Sequence, residues 1–171
     1  MLEKVAYTYK DRVWCGKINE RFLNQEVKLY GWVHRIRDMG GIIFIDLRDR
    51  TGVVQVILSN NNIEIPKLSL EDVLEVIGIV KERPYENINP NIATGNFEII
   101  AKEVRILSKS DPLPFMINED YKDIRDLKID ESLRLKYRYL DLRRLQMFRN
   151  IFFRHKFIKY VRDFMDNEDF L

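Results

Sequence analysis

Between Val27 and Val33 the apolar positions recur at every second residue, with Val27, Leu29, Gly31 and Val33 alternating with Lys28, Tyr30 and Trp32. A period of two predicts a strand with one face on a core. The Met39-Gly40-Gly41 turn signal leads to a second strand over Ile42–Leu47, and Arg48–Gly52 turns the chain into a third over Val53–Leu58. Two more are predicted at Val73–Val80 and Asn96–Leu107, the last with a possible break near Ala101-Lys102. The longer connection, Ser59 to Asp72, contains Pro66. Five strands, close hairpins and one longer connection after the third predict a mainly β fold. Its plan is that of the five-stranded Greek-key barrel called the OB-fold.

The pattern changes after Ser108–Pro114, where SKSDPLP joins polar residues to two prolines. Residues 109–132 read as a hinge between a barrel domain over 1–108 and a helical segment over 133–171. In that last segment Met147, Ile151, Ile158, Val161 and Met165 fall at three- and four-residue steps, widened by Phe148, Phe152, Phe157 and Phe164. This predicts a helix over Leu145–Asn167 whose broad apolar stripe needs a partner. The chain reaches Phe170-Leu171 without supplying one, as a truncated domain would. Charge follows the same divisions. Asp111–Glu131 has seven acidic and three basic residues, whereas Leu133–Arg162 has ten basic residues against Asp141 alone.

Across all 171 residues, 29 Lys+Arg stand against 27 Asp+Glu, for a net charge of +2. Any nucleic-acid surface must therefore be local. The single cysteine, Cys15, excludes an intrachain disulfide scaffold, and with only His34 and His155 beside it a structural zinc site has no ligand set. The charged N-terminus, MLEKVAYTYKDRVWCGK, resembles neither a secretory nor a mitochondrial signal, and no stretch approaches membrane-span length. A cytoplasmic location follows as an expectation.

No catalytic constellation emerges: there is no Walker loop, no CxxC and no Ser/His/Asp set. Asp46 and Asp49 beside Arg48 and Arg50 read as local ion pairs, Cys15 as buried, and His34 as a half-exposed strand residue. The barrel surface is more informative. Alternation places Ile43, Ile45 and Leu47 on the core face of the second strand and Phe44 and Asp46 on the other. In the third strand Gln55 leaves the core-facing row of Val54, Val56 and Leu58. If the hairpin closes around Asp49-Arg50, Phe44 and Gln55 come nearly opposite each other. A ring to stack on, an amide to read a base edge, and Arg35 and Arg37 for phosphate or carbonyl would suit an unstacked base. A surface ring packed cross-strand explains Phe44 equally well. Glu98 could accept from cytosine N4 or from guanine, or be an ordinary exposed strand residue. Arg83, Asn87 and Asn89 lie in the loop Lys81–Gly95, a candidate binding loop or a plain surface connection.

Three segments in order resemble the bacterial-type aspartyl-tRNA synthetases. GWVHRIRDMGGIIFIDLRDRTGVVQV (Gly31–Val56) is similar to the anticodon-binding barrel of that family, and KERPYENINPNIATGNFEI (Lys81–Ile99) to its loop and fifth strand. LRLKYRYLDLRR (Leu133–Arg144) is similar to its entry into the catalytic domain. The resemblance implies that Phe44 stacks on an anticodon base and that Gln55 bonds the middle uracil. It implies that Arg35 and Arg37 form a basic pair, and that Arg83, Asn87, Asn89 and Glu98 flank the remaining bases. Two departures stand out: Lys81 where relatives often carry arginine, and a short Ser59–Asp72 connection.

The expected protein is an N-terminal portion of an aspartate–tRNA ligase that binds the tRNA anticodon loop. Its parent would use ATP and magnesium and be a homodimer through its catalytic domain. This portion would hold no catalytic residue, cofactor or metal, because the later ATP-binding motifs are absent. A stand-alone OB-fold module for single-stranded nucleic acid, or for a protein partner, is the alternative.

Overall fold

The structure is a computed structural model that describes residues 11–59, 66–117 and 129–171. The first ten residues, part of the connection after the third strand and the middle of the expected hinge lie outside the described residues. Two compact units divide the chain, Met1–Pro112 and Leu113–Leu171.

The first unit is a closed five-stranded barrel. Its strands are β1 (Glu26–Asp38), β2 (Ile42–Asp49), β3 (Gly52–Ser59), β4 (Val73–Glu82) and β5 (Phe97–Ser108), in the spatial order β1-β2-β3-β5-β4. Closure removes the exposed edges that would template aggregation. Leu29, Val33, Ile45, Leu47, Val54, Val56, Leu74, Val76, Val80 and Ile99 fill the interior from all five strands. These are the inward positions of the alternation, and each valine or leucine so buried contributes roughly 1.5–3 kcal/mol. Gly40 and Gly41 take positive φ between β1 and β2, which a turn of this hand requires. The β2–β3 hairpin turns at Arg50-Thr51, since Asp49 pairs with Gly52. That is one residue later than the spacing suggests.

Two bulges within the strands shape the sheet, beside a further register shift at its Val73–Leu74 end. The break expected near Ala101-Lys102 is a bulge inside one continuous strand: Gly78 pairs with Ala101 and Ile77 with Glu103, leaving Lys102 extra. A second bulge falls at His34, between the pairs Val33–Leu47 and Arg35–Asp46. Arg48 reaches His34 Nδ1 at 2.9 Å and donates to both carboxylate oxygens of the buried Glu71. The Glu71 amide in turn donates to the Val33 carbonyl at 2.8 Å, so the bulge is held from both sides.

In the second unit, α1 (Glu131–Lys136) and α2 (Arg138–Asp141) precede α3 (Leu145–Asn167). Asp130 caps α1 by accepting from the Ser132 and Leu133 amides. Asp141 is wholly buried and is bound by Arg134, Arg138 and Arg144. Burial pushes its carboxyl up, but hydrogen bonds from Arg134 and Arg144 and the charges of Arg134 and Arg138 outweigh that and hold it below the usual range. The α3 helix has the expected bounds and no buried residue among those described; Phe153 is 72% exposed.

Candidate nucleic-acid interface

Strict alternation along β1 would carry Arg35 and Arg37 inward, in phase with Val27, Leu29, Gly31 and Val33. The bulge at His34 reverses that phase. Ile36 packs against the core instead, and both arginines face outward, paired with Asp46 and Phe44. The bulge therefore assembles the candidate interface on the barrel's outer surface.

Two rows run side by side across that surface. Arg35, Asp46, Gln55, Glu98 and Lys81 are successive cross-strand partners through β1, β2, β3, β5 and β4. Beside them run Arg37, Phe44, Ile57, Ile100 and Ile79. One row is polar, and the other is apolar with an arginine at its end. Base edges and base faces need such a pair of surfaces.

The centre of the polar row is a buried network. The Gln55 amide nitrogen donates to Glu98 Oε2 at 3.0 Å, and its oxygen accepts from Arg37 at 2.9 Å. Arg37 lies 3.7 Å from Asp46 and places its guanidinium 5.7 Å from the centre of the Phe44 ring. Arg83 donates from Nε to the Phe97 carbonyl at 2.9 Å and from one terminal nitrogen to the Asn87 carbonyl. Its other terminal nitrogen is buried with no hydrogen-bond partner. Gln55, Arg83 and Glu98 are only 5%, 7% and 8% exposed. Burial raises the Glu98 carboxyl above its ordinary range, opposed by the Arg83 charge and the Gln55 hydrogen bond. Burial likewise lowers Arg83, opposed by the charges of Glu98 and Asp46.

Phe44 and Gln55 are diagonal neighbours, not an opposed pair: Phe44 faces Ile57 and Gln55 faces Asp46. The later turn causes this offset, which leaves the ring within reach of the amide's surroundings. Asn87 and Asn89 lie on the loop from β4 to β5. The Asn89 side chain accepts from the Asn91 amide, and the Asn89 amide donates to the Gly95 carbonyl at 3.2 Å, which folds the loop on itself. A Cβ at Gly95 would collide with the Asn89 carbonyl. Lys81 turns away from the row to Asn24, at 2.8 Å. Asp46 joins the site as the partner of Arg37, a role that its pairing with Arg35 makes visible only once the bulge is known. Asp49 has no ion pair among the described residues; it accepts instead from the Cys15 and Thr51 amides. Cys15 is buried, and its thiol is pushed well up by burial and by Asp49.

Residues 27–107 match the family model of an OB-fold nucleic acid binding domain of the tRNA anticodon type. Residues 130–171 match that of class II tRNA synthetases for D, K and N. The fold and these matches define an anticodon-binding barrel joined to class II synthetase sequence. Among curated relatives, an Endomicrobium trichonymphae aspartate–tRNA(Asp/Asn) ligase is 47% identical over 92% of the chain. A Staphylococcus epidermidis aspartate–tRNA ligase is 42% identical over 94%. The chain belongs to the aspartyl-tRNA ligase family, and carries its anticodon-binding OB domain. It spans 27% of the length of these relatives. An Entamoeba histolytica aspartyl-tRNA synthetase shares the fold with a TM-score of 0.80, at 19% identity over 94% of this chain and 38% of that one. A Pyrococcus horikoshii asparaginyl-tRNA synthetase does so at 0.74 and 22% identity, over 93% of this chain and 35% of that one. Among the described residues no helix is long and apolar enough to cross a membrane, and no cluster suits a metal ion.

Proposed function

We propose that the two outer rows hold the anticodon loop of a tRNA, with Phe44 and the isoleucines stacking on bases and Gln55 reading the middle uracil. The observation that carries this reading is the buried Gln55–Glu98–Arg83 group at the centre of the polar row. Gln55 and Glu98 satisfy each other in part, but a buried guanidinium N–H of Arg83 without an acceptor costs stability, which a ligand acceptor would offset. Arg83 brings a buried N–H that lacks an acceptor, suited to a base carbonyl. Glu98 brings a carboxylate suited to the amino group of cytosine or guanine. Arg35 and Arg37 hold phosphate, and Asn87 and Asn89 flank the outer bases from the loop.

The complete protein would ligate aspartate to tRNA with ATP and magnesium, in the cytoplasm, as a homodimer through its catalytic domain. Family membership supports the reaction, and the uncovered apolar face of α3 supports the dimer. The 171-residue chain alone is expected to show only background aspartate-dependent pyrophosphate exchange.

The test is a titration with a GUC anticodon stem-loop at fixed salt, beside a loop with the middle uracil replaced. Discrimination of about 1–3 kcal/mol that disappears in Gln55→Ala is the expected result. Equal binding of both loops would indicate a generic nucleic-acid module. Binding of neither would indicate a protein-interaction module.

A further inference from the structure

On the other side of the His34 bulge, the outward face of β1 carries a second built feature. A cleft of about 260 Å³ lies there between Trp14, Tyr30, Trp32, Arg12, Asp49 and Arg50. β2 pairs with β1 only from Trp32 onward, and the segment before Cys15 takes the strand edge left beyond it. The Val13 amide donates to the Lys28 carbonyl at 2.9 Å. The Cys15 amide donates to Asp49 at 2.7 Å, and the Gly16 amide to the Thr51 hydroxyl at 2.9 Å. These bonds fix Trp14 beside Tyr30 and Trp32.

The charges in the cleft are unevenly spent. Arg12 stacks on Trp14 with its guanidinium carbon 3.6 Å from the ring centre, and Arg50 lies 5.9 Å from the same ring. Neither has an ion-pair partner among the described residues. Asp49 directs its oxygens to the Cys15 amide and to the Thr51 amide and hydroxyl. Glu75, bordering Tyr30, is taken by the Tyr30 hydroxyl, Lys28 and Arg105. An aromatic wall with two cations directed at it suits a flat group that carries an anion. A bare phosphate would gain nothing from the rings, and an apolar ligand nothing from the arginines.

We propose that this cleft takes one nucleotide of single-stranded RNA, the base against Tyr30 and Trp32 and the phosphate on Arg12 and Arg50. Its volume falls just short of the roughly 300–1,000 Å³ of larger ligand pockets, which fits a single nucleotide. Trp32, His34 and Arg35 follow one another along the outer face of β1 across the bulge, with His34 against Arg48. A strand leaving the Phe44–Gln55 face reaches the cleft by following β1 over a basic and aromatic track. The RNA source, a nucleotide flanking the anticodon, rests on the function proposed above; the nucleotide chemistry of the cleft does not.

The chain has two tryptophans, Trp14 and Trp32, and both line this cleft. Tryptophan emission therefore reports its occupancy, while anisotropy of a labelled RNA reports binding anywhere. With the GUC stem-loop, emission is expected to quench as anisotropy rises. Arg12→Gln and Arg50→Gln should each weaken binding several-fold whatever the anticodon, and flatten the salt dependence by about 0.7 in log–log slope per lost contact. Gln55→Ala should lose base discrimination and keep the quench. Stem-loop binding with unchanged emission, and with unchanged affinity in the double arginine variant, would overturn the cleft proposal and leave the anticodon reading standing. If the stem-loop does not bind, a short oligouridylate decides: a quench abolished in the double variant supports the cleft, and no quench overturns it.

Discussion

Replacing Gln55 by methionine keeps the side chain's length and removes both ends of its amide. On the Arg37 side little is lost, because that guanidinium is half exposed and turns to water. On the other side Glu98 loses the donor at 3.0 Å and remains buried. A hydrogen bond to a charged group contributes about 1.5–3 kcal/mol, so Gln55→Met should destabilise the barrel by about 2 kcal/mol near neutral pH. With a urea dependence of about 2 kcal/mol per M, the unfolding midpoint falls by about 1 M. The emission of Trp14 and Trp32 follows it, both lying in the barrel unit. The pH dependence is the sharper check. Glu98 titrates higher folded than unfolded, so the folded state binds the extra proton and stability falls as pH rises through that window. Without Gln55 the folded value rises further and the window widens upward. The deficit of Gln55→Met should therefore shrink as pH is lowered from 7.5 towards 5. A deficit that is independent of pH, or grows on acidification, would refute the account of Glu98 as a carboxylate held charged partly by Gln55.

Asp141→Asn should loosen α1 and α2 by about 3 kcal/mol, because three arginines then converge without a carboxylate; faster hydrogen exchange of the 138–144 amides measures it. Since Asp141 titrates below its ordinary range, its contribution is present above the unfolded pKa and is lost as pH falls through the folded value; the same amides should lose protection only in that acid range. Gly95→Ala should weaken stem-loop binding while shifting the barrel's unfolding midpoint by less than Gln55→Met does, because the collision with the Asn89 carbonyl disturbs the loop and not the core. Glu71→Gln should weaken the hold of Arg48 on the bulge and reduce discrimination at the middle uracil, read by the paired stem-loop titration.

The five strands, the barrel plan and the bounds of α3 were legible because burial imposes period two or period 3.6 directly on residue type. The core positions Val54, Val56 and Leu58 could be read from alternation alone, and Gln55 stood out as the residue that left their row. The offset between Phe44 and Gln55 was not legible, because one residue in the turn sets the register and Asp49–Gly52 admits two closures. Nor was the outward aim of Arg35 and Arg37. It depends on Glu71 and Arg48, which are distant in sequence from His34, and strict alternation argues against it. The burial of Arg83 and Glu98 was equally hidden: a lone charged residue on a strand or loop reads as solvated until the tertiary fold covers it. The cleft around Trp14 escaped notice because its walls come from three separate segments with no shared spacing.

The extra residue at His34 also makes this barrel unequally tolerant of two kinds of mutational event. A substitution in β1 alters one side chain and leaves its neighbours where they were. Deletion of His34 would restore plain alternation and leave Arg35 and Arg37 outward and Ile36 inward, whereas a one-residue deletion elsewhere in the strand, with the bulge kept, would exchange the faces of every residue beyond it. Sequence variation among functional descendants should therefore accumulate as replacements along this strand, with any change of length confined to the bulge.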